Sequence, residues 1–422
     1  MNILLIGGGG REHCIAVSLA KSPRINNLHC IPGNAGIEKM AKCHNYDISN
    51  KKAILDFCIK QKIDMIFIGP EVPLVDGLAD YLNSNNFFTF GPSKKASQLE
   101  GSKSFTKKIC KNYNIPTAYY KSFSNKDATL EYIKSHPFPL VIKVDGLAAG
   151  KGVVIAENLE QANNSINEIF SGKFGSAGNE IVIEEFLQGE EASFFVISDG
   201  KSFIPLTSAQ DHKRIGEGDK GLNTGGMGAY SPAPIMTKDL EKKTIDKIIK
   251  PTIQALNDYD TPFIGILYAG LMIKDNEPKL IEYNVRFGDP ECQVIIPRLE
   301  NDLIELLVNV KEKNLDNYVL KWKNNFAMTV VLAAKGYPEN YQSGDEIIGL
   351  ENEKNHDDVE IYHAGTTRKN NSIITSGGRV LNINGYGESL AEARDRAYNL
   401  VNKVGWSDYY YRRDIGWRAL ED

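Results

Sequence analysis

Leu280-Ile-Glu-Tyr-Asn-Val-Arg-Phe-Gly-Asp-Pro-Glu291 reads as a strand running into a tight turn. Side chains alternate along a strand, so Glu282, Asn284 and Arg286 share one face, and Ile281, Tyr283 and Val285 the other. Two oxygen ligands and a guanidinium opposite an apolar face suit a Mg²⁺–phosphate site. Mg²⁺ takes a few protein oxygens and completes its shell with water and phosphate. The plainer reading is an amphipathic edge strand with a solvated polar face, and the Gly-Asp-Pro-Glu that follows argues for a site. Upstream, Phe263–Ile273 supplies a hairpin partner, with the turn at Lys274–Pro278. Asp199-Gly200 between apolar runs signals another hairpin. The middle of the chain is therefore α+β with antiparallel pairing.

Further upstream, Val141–Val144 is a strand that enters the loop Asp145-Gly-Leu-Ala-Ala-Gly-Lys-Gly152, and Val153–Ala156 leaves it. A loop nearly free of side-chain bulk can close over phosphates, with a lysine as point charge. It is not a Walker A motif, because no Gly-Lys-Ser/Thr opens a helix. An ordinary hairpin loop is the alternative. Lys143 on an apolar strand favours the phosphate reading, since an ionised lysine there is costly without an anion. Strands over Glu180–Glu184 and Ala192–Ile197 flank Glu184-Glu-Phe-Leu-Gln-Gly-Glu-Glu191. Backbone in such a linker can read an adenine edge and an acid can hold ribose hydroxyls; a solvated acidic turn is the bland alternative. Ser208-Ala-Gln-Asp-His-Lys-Arg214 followed by Asn223-Thr-Gly-Gly-Met-Gly-Ala-Tyr230 suits a small substrate enclosed by backbone. His212 is a candidate base or an ordinary surface histidine.

At the N-terminus, apolar runs over Asn2–Ile6, Asp64–Ile68 and Phe87–Phe90 each end in glycine, with helical stretches between. That pattern indicates βαβ units and a parallel sheet, with ligands beyond the carboxyl ends of the strands. The nicotinamide fingerprint fails: Gly7-x-Gly9 requires glycine at position 12, which is Glu12, and the second strand ends in Pro32-Gly33-Asn34 without the expected acid. A phosphate of another ligand fits better, with Arg11 beside the loop as a fork. A plain Rossmann-like turn is the alternative.

The 422 residues, 42% of them hydrophobic, suggest two to four domains. Charged residues make up 24% and the net charge is -5, with the signs interspersed. That leaves no electrostatic footprint for nucleic acid or an anionic membrane. Cysteines at 14, 30, 43, 58, 110 and 292 form no zinc or disulfide pattern and read as reduced, mostly buried cytosolic thiols. Met1–Gly10 is a first strand rather than a signal peptide, and no apolar run approaches a membrane span. At the other end, Phe326–Ala334 and Gly378–Ile383 look like strands. Ser389-Leu-Ala-Glu392 is a capping box opening a helix whose apolar face is Leu390, Ala393, Ala397, Leu400 and Val404. Arg412-Arg-Asp-Ile-Gly-Trp417 is expected to dock a terminal segment, with no chemistry assigned.

At these residues the sequence resembles the ATP-grasp superfamily and, within it, the phosphoribosylamine–glycine ligase family. The matching segments are Gly9-Gly-Arg-Glu-His13, Pro32-Gly-Asn-Ala-Gly36, Gly69-Pro-Glu71 with Pro73-Leu74, Gln98–Lys103, Asp145–Gly152, Gln210–Arg214, Asn223–Pro232, Arg286–Glu291, His363–Thr366 and Gly377–Leu381. They cover nearly the whole chain in one order. Single motifs are shared among ATP-grasp ligases; Arg-Phe-Gly-Asp-Pro-Glu in this company is more specific. Gly8 and Cys14 stand where other small residues are usual, which affects no functional position.

The resemblance implies a Rossmann-like parallel-sheet domain over 1–102, a two-lobed ATP-grasp domain over 103–325 with a mobile lobe at about 122–190, and a small α+β domain over 326–422. It implies ATP between the lobes under a mobile glycine loop. Lys103, Lys143 and Lys151, with Gly150 and Gly152, would hold phosphates; Glu184, Glu185, Phe186 and Leu187 the adenine; Glu190 the ribose; Glu282 and Asn284 a Mg²⁺ or Mn²⁺ ion. Gly9, Gly10, Arg11, Asn34, Glu71, Asp211, Lys213, Asn223 and Arg286 would bind substrate, and Lys151, Asp211, Arg286 and Asp289 would act in the chemistry. The implied reaction joins glycine to 5-phosphoribosylamine through glycyl phosphate, giving glycinamide ribonucleotide, ADP and phosphate in purine biosynthesis. A monomeric cytoplasmic enzyme of small molecules is expected. The rivals are another ATP-grasp reaction, such as a carboxylase or peptide ligase, and a non-catalytic nucleotide sensor.

Overall fold

The computed structural model describes residues 1–148, 152–355 and 358–420. The chain opens on five parallel strands, in spatial order Lys42–Cys43, Asn27–Pro32, Asn2–Gly7, Met65–Ile68 and Thr89–Phe90. Ile3 to Ile6 are buried on both faces of the sheet, which is why the strand reads as a continuous apolar run. Strand order reverses about Asn2–Gly7, so the loops after its carboxyl end, at Gly7–Gly10, Pro32–Gly36 and Gly69–Glu71, gather at the switch point.

Two antiparallel sheets follow. One has the order Tyr120–Phe123, Ile181–Glu185, Leu140–Val144, Val153–Ala156; the other Phe203–Pro205, Glu190–Asp199, Ile264–Lys274, Glu277–Asn284. The first has a core of its own, built on Ile133, Leu140, Ile142, Ile166 and Ile183. The second shares its cores with the N-terminal sheet: Leu4, Ile66, Phe194, Leu267 and Tyr283 belong to one apolar cluster. Ile264–Lys274 turns into Glu277–Asn284 through Asp275 and Asn276, both at positive φ (52° and 58°). Asp and Asn tolerate that region, which makes them hairpin-turn residues.

The alternation expected along 280–286 is interrupted. Gly270 pairs with Glu282 but Leu271 with Leu280, so Ile281 is an extra residue, a β-bulge. Leu280, Tyr283 and Val285 therefore point into the core, and Ile281 does not join them. Glu282, Asn284 and Arg286 stay on the half-buried face. The strand is also the edge of its sheet.

The final sheet runs Gln210–Asp211, Gly228–Ser231, Phe326–Ala334, Arg379–Gly387, Val359–His363, with Tyr409–Tyr410 added beside Phe326–Ala334. The sheet of the C-terminal residues extends beyond them through Gly228–Ser231, which pairs with Phe326–Ala334. Helix Leu390–Val401 packs on it through Leu390, Ala393, Ala397 and Leu400. The Ser389 hydroxyl accepts from the Glu392 N–H at 3.2 Å, while the Glu392 carboxylate reaches back to Glu388 N–H at 2.7 Å.

Candidate active site

Glu282 and Asn284 stand on the edge strand and face the loop that carries Asp211 and Lys213. Lys213 Nζ lies 3.0 Å from Glu191 and 3.8 Å from Glu282. Burial works against the Glu282 carboxylate, but Lys213, Lys103 and Lys143 hold its pKa below the usual value. Burial, then the neighbouring charge of Glu291, pushes the Asp211 carboxyl well up against the pull of Lys213. Burial opposes the Lys213 ammonium, yet Glu191, Tyr268, Asp211 and Glu282 overcome it and raise its pKa well above normal. Acidic side chains and lysines side by side suit a cationic group on the one and an anionic group on the other.

The nucleotide-binding candidates lie along the other wall. Lys143 is buried and donates to Glu184 Oε2 at 3.0 Å and to the Ile281 carbonyl at 3.3 Å. The anion its burial requires is thus a protein carboxylate. Lys107 shares it at 3.2 Å and donates to the Thr117 hydroxyl at 2.8 Å. Glu184 Oε1 is buried without a partner among the described residues, a polar atom free to meet a ligand. Glu185 is exposed and accepts from the Tyr119 N–H at 3.1 Å. Phe186 is exposed and Leu187 half-buried on the linker between the two sheets. Glu190 accepts from Gln210 at 2.6 Å. Lys103, half-buried at the start of helix Lys103–Asn112, reaches the Glu100 carbonyl at 3.4 Å. Gly150 and Lys151 lie outside the described residues. Gly152 opens the returning strand, where a Cβ would lie 2.5 Å from Val144 and 2.6 Å from Ala148, so only glycine closes that hairpin.

The N-terminal loops reach the same place through arginines. Gly9 caps helix Gly10–Ala20, and its N–H donates to Glu12 at 2.7 Å. Arg11 is buried; its Nε donates to Glu12 at 2.6 Å and Nη1 to the Phe287 carbonyl at 3.0 Å. It is therefore a tie between the N-terminal loop and the turn after the edge strand, and less an open fork than its place beside the glycines suggests. Arg286 pairs with Glu100 at 2.7 Å and Glu71 at 3.2 Å. Burial raises the Glu71 carboxyl, but Arg286 and Arg11 bring it down to about 2. Burial likewise raises Asp289, and Arg379 and Arg11 hold it below normal; it accepts from Gln293 at 2.7 Å. Asn34 has its side chain filled: it donates to Gly8 O at 2.9 Å and His363 O at 2.8 Å and accepts from the N–H groups of Gly36 and Ile37. These bonds bracket the loop.

Asn223 ends the short strand Lys220–Asn223, which returns toward the cleft after pairing with Arg214–Gly216. His212 is neither a surface group nor placed as a base. It is buried, and burial, then Arg412, lowers its pKa to about 4. Three residues without a role in the sequence reading belong to the site: Glu100, Lys107 and Arg379. Arg379 donates to Gly225 O at 2.7 Å and Asp289 O at 2.5 Å. Glu100 and Arg379 lie in the matching segments Gln98–Lys103 and Gly377–Leu381 but their acidic or basic partners, like that of Lys107, are remote in sequence.

Three profiles of the phosphoribosylglycinamide synthetase family match the chain: the N domain over 1–100, the ATP-grasp (A) domain over 101–292 and the C domain over 327–418. The chain is 50% identical over 421 residues to phosphoribosylamine–glycine ligase of Brucella melitensis, covering 100% of this chain and 99% of that protein. The crystal structure of phosphoribosylamine–glycine ligase from Thermotoga maritima superposes with a TM-score of 0.82 at 34% identity, over 98% of this chain and 100% of that one. Biotin carboxylase from Campylobacter jejuni shares the fold at 15% identity, with a TM-score of 0.75 over 100% of this chain and 95% of that one.

Proposed function

The chain belongs to the phosphoribosylglycinamide synthetase family, and on that premise we propose that its cleft joins the carboxylate of glycine to the amine of 5-phosphoribosylamine, with ATP cleaved to ADP and phosphate. The observation that carries the reading at the residue level is the cluster at Lys213. Asp211, Glu191 and Glu282 surround it, with Asn284 on the same strand face as Glu282, where cationic and anionic ligands could meet.

Oxide cannot leave a carboxylate at neutral pH, so the glycine carboxylate is first phosphorylated. The amine then attacks the carbonyl of glycyl phosphate and phosphate departs. No side chain becomes covalently attached; positioning and charge stabilisation carry the rate. Lys143 and Lys103 would hold phosphate oxygens, which for Lys143 would take over part of the pairing now made with Glu184. Glu184 Oε1 and the linker to Leu187 would meet the adenine, and Glu190 the ribose. Asp211 and Lys213 would orient glycine, by its ammonium and carboxylate ends. The network Gly9, Arg11, Glu71, Arg286 and Asp289 would order the sugar phosphate beyond the parallel strands. Glu282 and Asn284, two oxygen ligands on one strand face, would hold a Mg²⁺ or Mn²⁺ ion, its shell completed by phosphate and water. When bound, the metal neutralises charge on the transferred phosphoryl group.

The lobe at about 122–190 is the part we read as moving, because its core is its own, while 1–102 and the rest of 103–325 share theirs. The interspersed net charge of -5 supports a cytosolic enzyme acting on small molecules, without nucleic-acid or membrane partners, and we read it as a monomer. No helix among the described residues is long and apolar enough to cross a membrane.

The test is ADP release from ATP with glycine alone, phosphoribosylamine alone, and both. Sustained release is expected only with the pair. Turnover with bicarbonate or a second amino acid in place of the sugar amine, or none with the pair, would overturn the reading.

A further inference from the structure

The C-terminal segment Tyr410–Trp417 has no part in the reaction described above. It lies across the hairpin of Arg214–Gly216 and Lys220–Asn223, which connects Asp211 and Lys213 to Asn223. Arg412 is fully buried there. Its Nε and Nη2 donate to the two oxygens of Asp414 at 2.8 and 2.7 Å, and Nη1 donates to Asp219 at 2.8 Å and to the Arg214 carbonyl at 3.1 Å. Gly218 N–H donates to Asp414 at 2.8 Å, and the Tyr410 hydroxyl to the Ile215 carbonyl at 2.9 Å. The segment is pressed close: a Cβ on Gly228 would lie 2.8 Å from Ile415 and 2.7 Å from the Thr329 carbonyl.

His212 joins this strap to the cleft. Asp211 and Lys213 share their charge environment with Glu191 and Glu282, and His212 between them points the other way, as alternation requires. Its Nε2 accepts from the Gly416 N–H at 3.2 Å. Its backbone is held on both sides, with N–H to Gly228 O at 2.9 Å and C=O accepting from Met227 N–H at 2.8 Å. Nε2 accepts only if the ring is neutral, which places the proton on Nδ1. Nδ1 is buried without a partner among the described residues. A buried polar atom left unpaired is a cost, so the histidine is poorly explained as core filler.

We infer that His212 is a positioning residue: by hanging the Asp211–Lys213 segment on the Gly416 N–H of the C-terminal strap, it sets the two side chains that orient glycine. The inference rests on the reading of Asp211 and Lys213 as glycine-binding groups. His212 touches no substrate and moves no proton; what it supplies is a fixed backbone. Gln at this position can place an amide oxygen where Nε2 lies, and Leu cannot accept a hydrogen bond.

The experiment uses the full-length enzyme and the variants His212→Gln, His212→Leu and Asp211→Asn. Glycine KM and kcat are measured at saturating ATP and phosphoribosylamine, the affinity for a non-hydrolysable ATP analogue by calorimetry, and Tm. His212→Leu is expected to raise glycine KM about tenfold, the scale of one lost buried hydrogen bond, with analogue affinity unchanged. His212→Gln should bring KM back to within about threefold of the parent and keep kcat. A fall in Tm with glycine KM unchanged in His212→Leu, while Asp211→Asn raises it, would overturn the strap and leave the site reading intact. An unchanged glycine KM in Asp211→Asn would sink the site reading and this inference with it. Loss of kcat in His212→Gln by about 10² or more would make the ring a general base and overturn positioning. If His212→Leu does not fold, Tyr410→Phe, which removes only the bond to Ile215, decides: a glycine KM raised about threefold supports the strap, and a parental KM overturns it.

Discussion

Lys143 Nζ and Glu184 Oε2 are 3.0 Å apart with both residues nearly sealed from solvent, 3% and 4% exposed, and Lys107 closes on the same oxygen at 3.2 Å. Two buried lysines therefore share one carboxylate, and burial, with the repulsion of Lys143, holds the Lys107 pKa below its usual value despite Glu184. Glu184→Gln leaves both without their charge partner. Breaking a buried pair typically costs about 3–5 kcal/mol, so a large fall in Tm is expected. Lys143→Met leaves Glu184 its bond to Lys107 and should cost clearly less, while weakening ATP-analogue binding in calorimetry. Equal losses of Tm in the two variants would show that the charge is not shared in this way.

Glu282→Gln and Asn284→Ala are expected to leave folding nearly intact and to lower kcat by about 10²–10³, the usual cost of losing a group that stabilises developing charge. Both residues are half-buried on the polar face of an edge strand, away from the core formed by Leu280 and Tyr283. Near-parental turnover at saturating Mg²⁺ in both would remove them from the metal site.

Arg11→Ala should raise the KM for phosphoribosylamine and leave affinity for an ATP analogue close to the parent. Arg11 binds Glu12 and the Phe287 carbonyl, at the sheet's switch point, and Lys143 binds Glu184 and the Ile281 carbonyl. A charge-assisted hydrogen bond is worth roughly 1.5–3 kcal/mol, so a change of ten-fold or more is expected. Tm should fall as well, because Glu12 loses its ion-pair partner in a buried setting. Equal damage to ATP-analogue binding would place Arg11 elsewhere.

Acid stability should depend on Glu71. Its carboxyl titrates at about 2 in the fold against an ordinary 4.5, because Arg286 and Arg11 outweigh burial. A carboxyl depressed by folding adds stability above its unfolded pKa, and that stability is lost as pH falls from about 5 toward 2; the difference amounts to at most roughly 3 kcal/mol. Glu100 works in the opposite sense, since burial raises its pKa. Glu71→Gln should therefore flatten the loss of Tm between pH 5 and 3 and lower Tm at neutral pH. Parallel Tm–pH curves for parent and variant would show that Glu71 is not the group responsible.

The sequence by itself determined many of the elements. The strands over Asn2–Gly7 and Phe326–Ala334, the turn at Asp275-Asn276, the Ser389 cap and the glycine stretches are local signals, because side-chain period, positive φ and capping act within a few residues. Tertiary structure alone decided which charges meet. The bulge at Ile281 depends on the register against Gly270 and Leu271. Glu184 is shared by Lys143 and Lys107, Arg286 by Glu71 and Glu100, and the His212 ring accepts from Gly416, over 200 residues on. An isolated lysine, arginine or histidine carries the same covalent chemistry wherever it stands. Its partner, its burial and hence its protonation are set only when packing brings distant segments within about 3 Å, the range over which hydrogen bonds form.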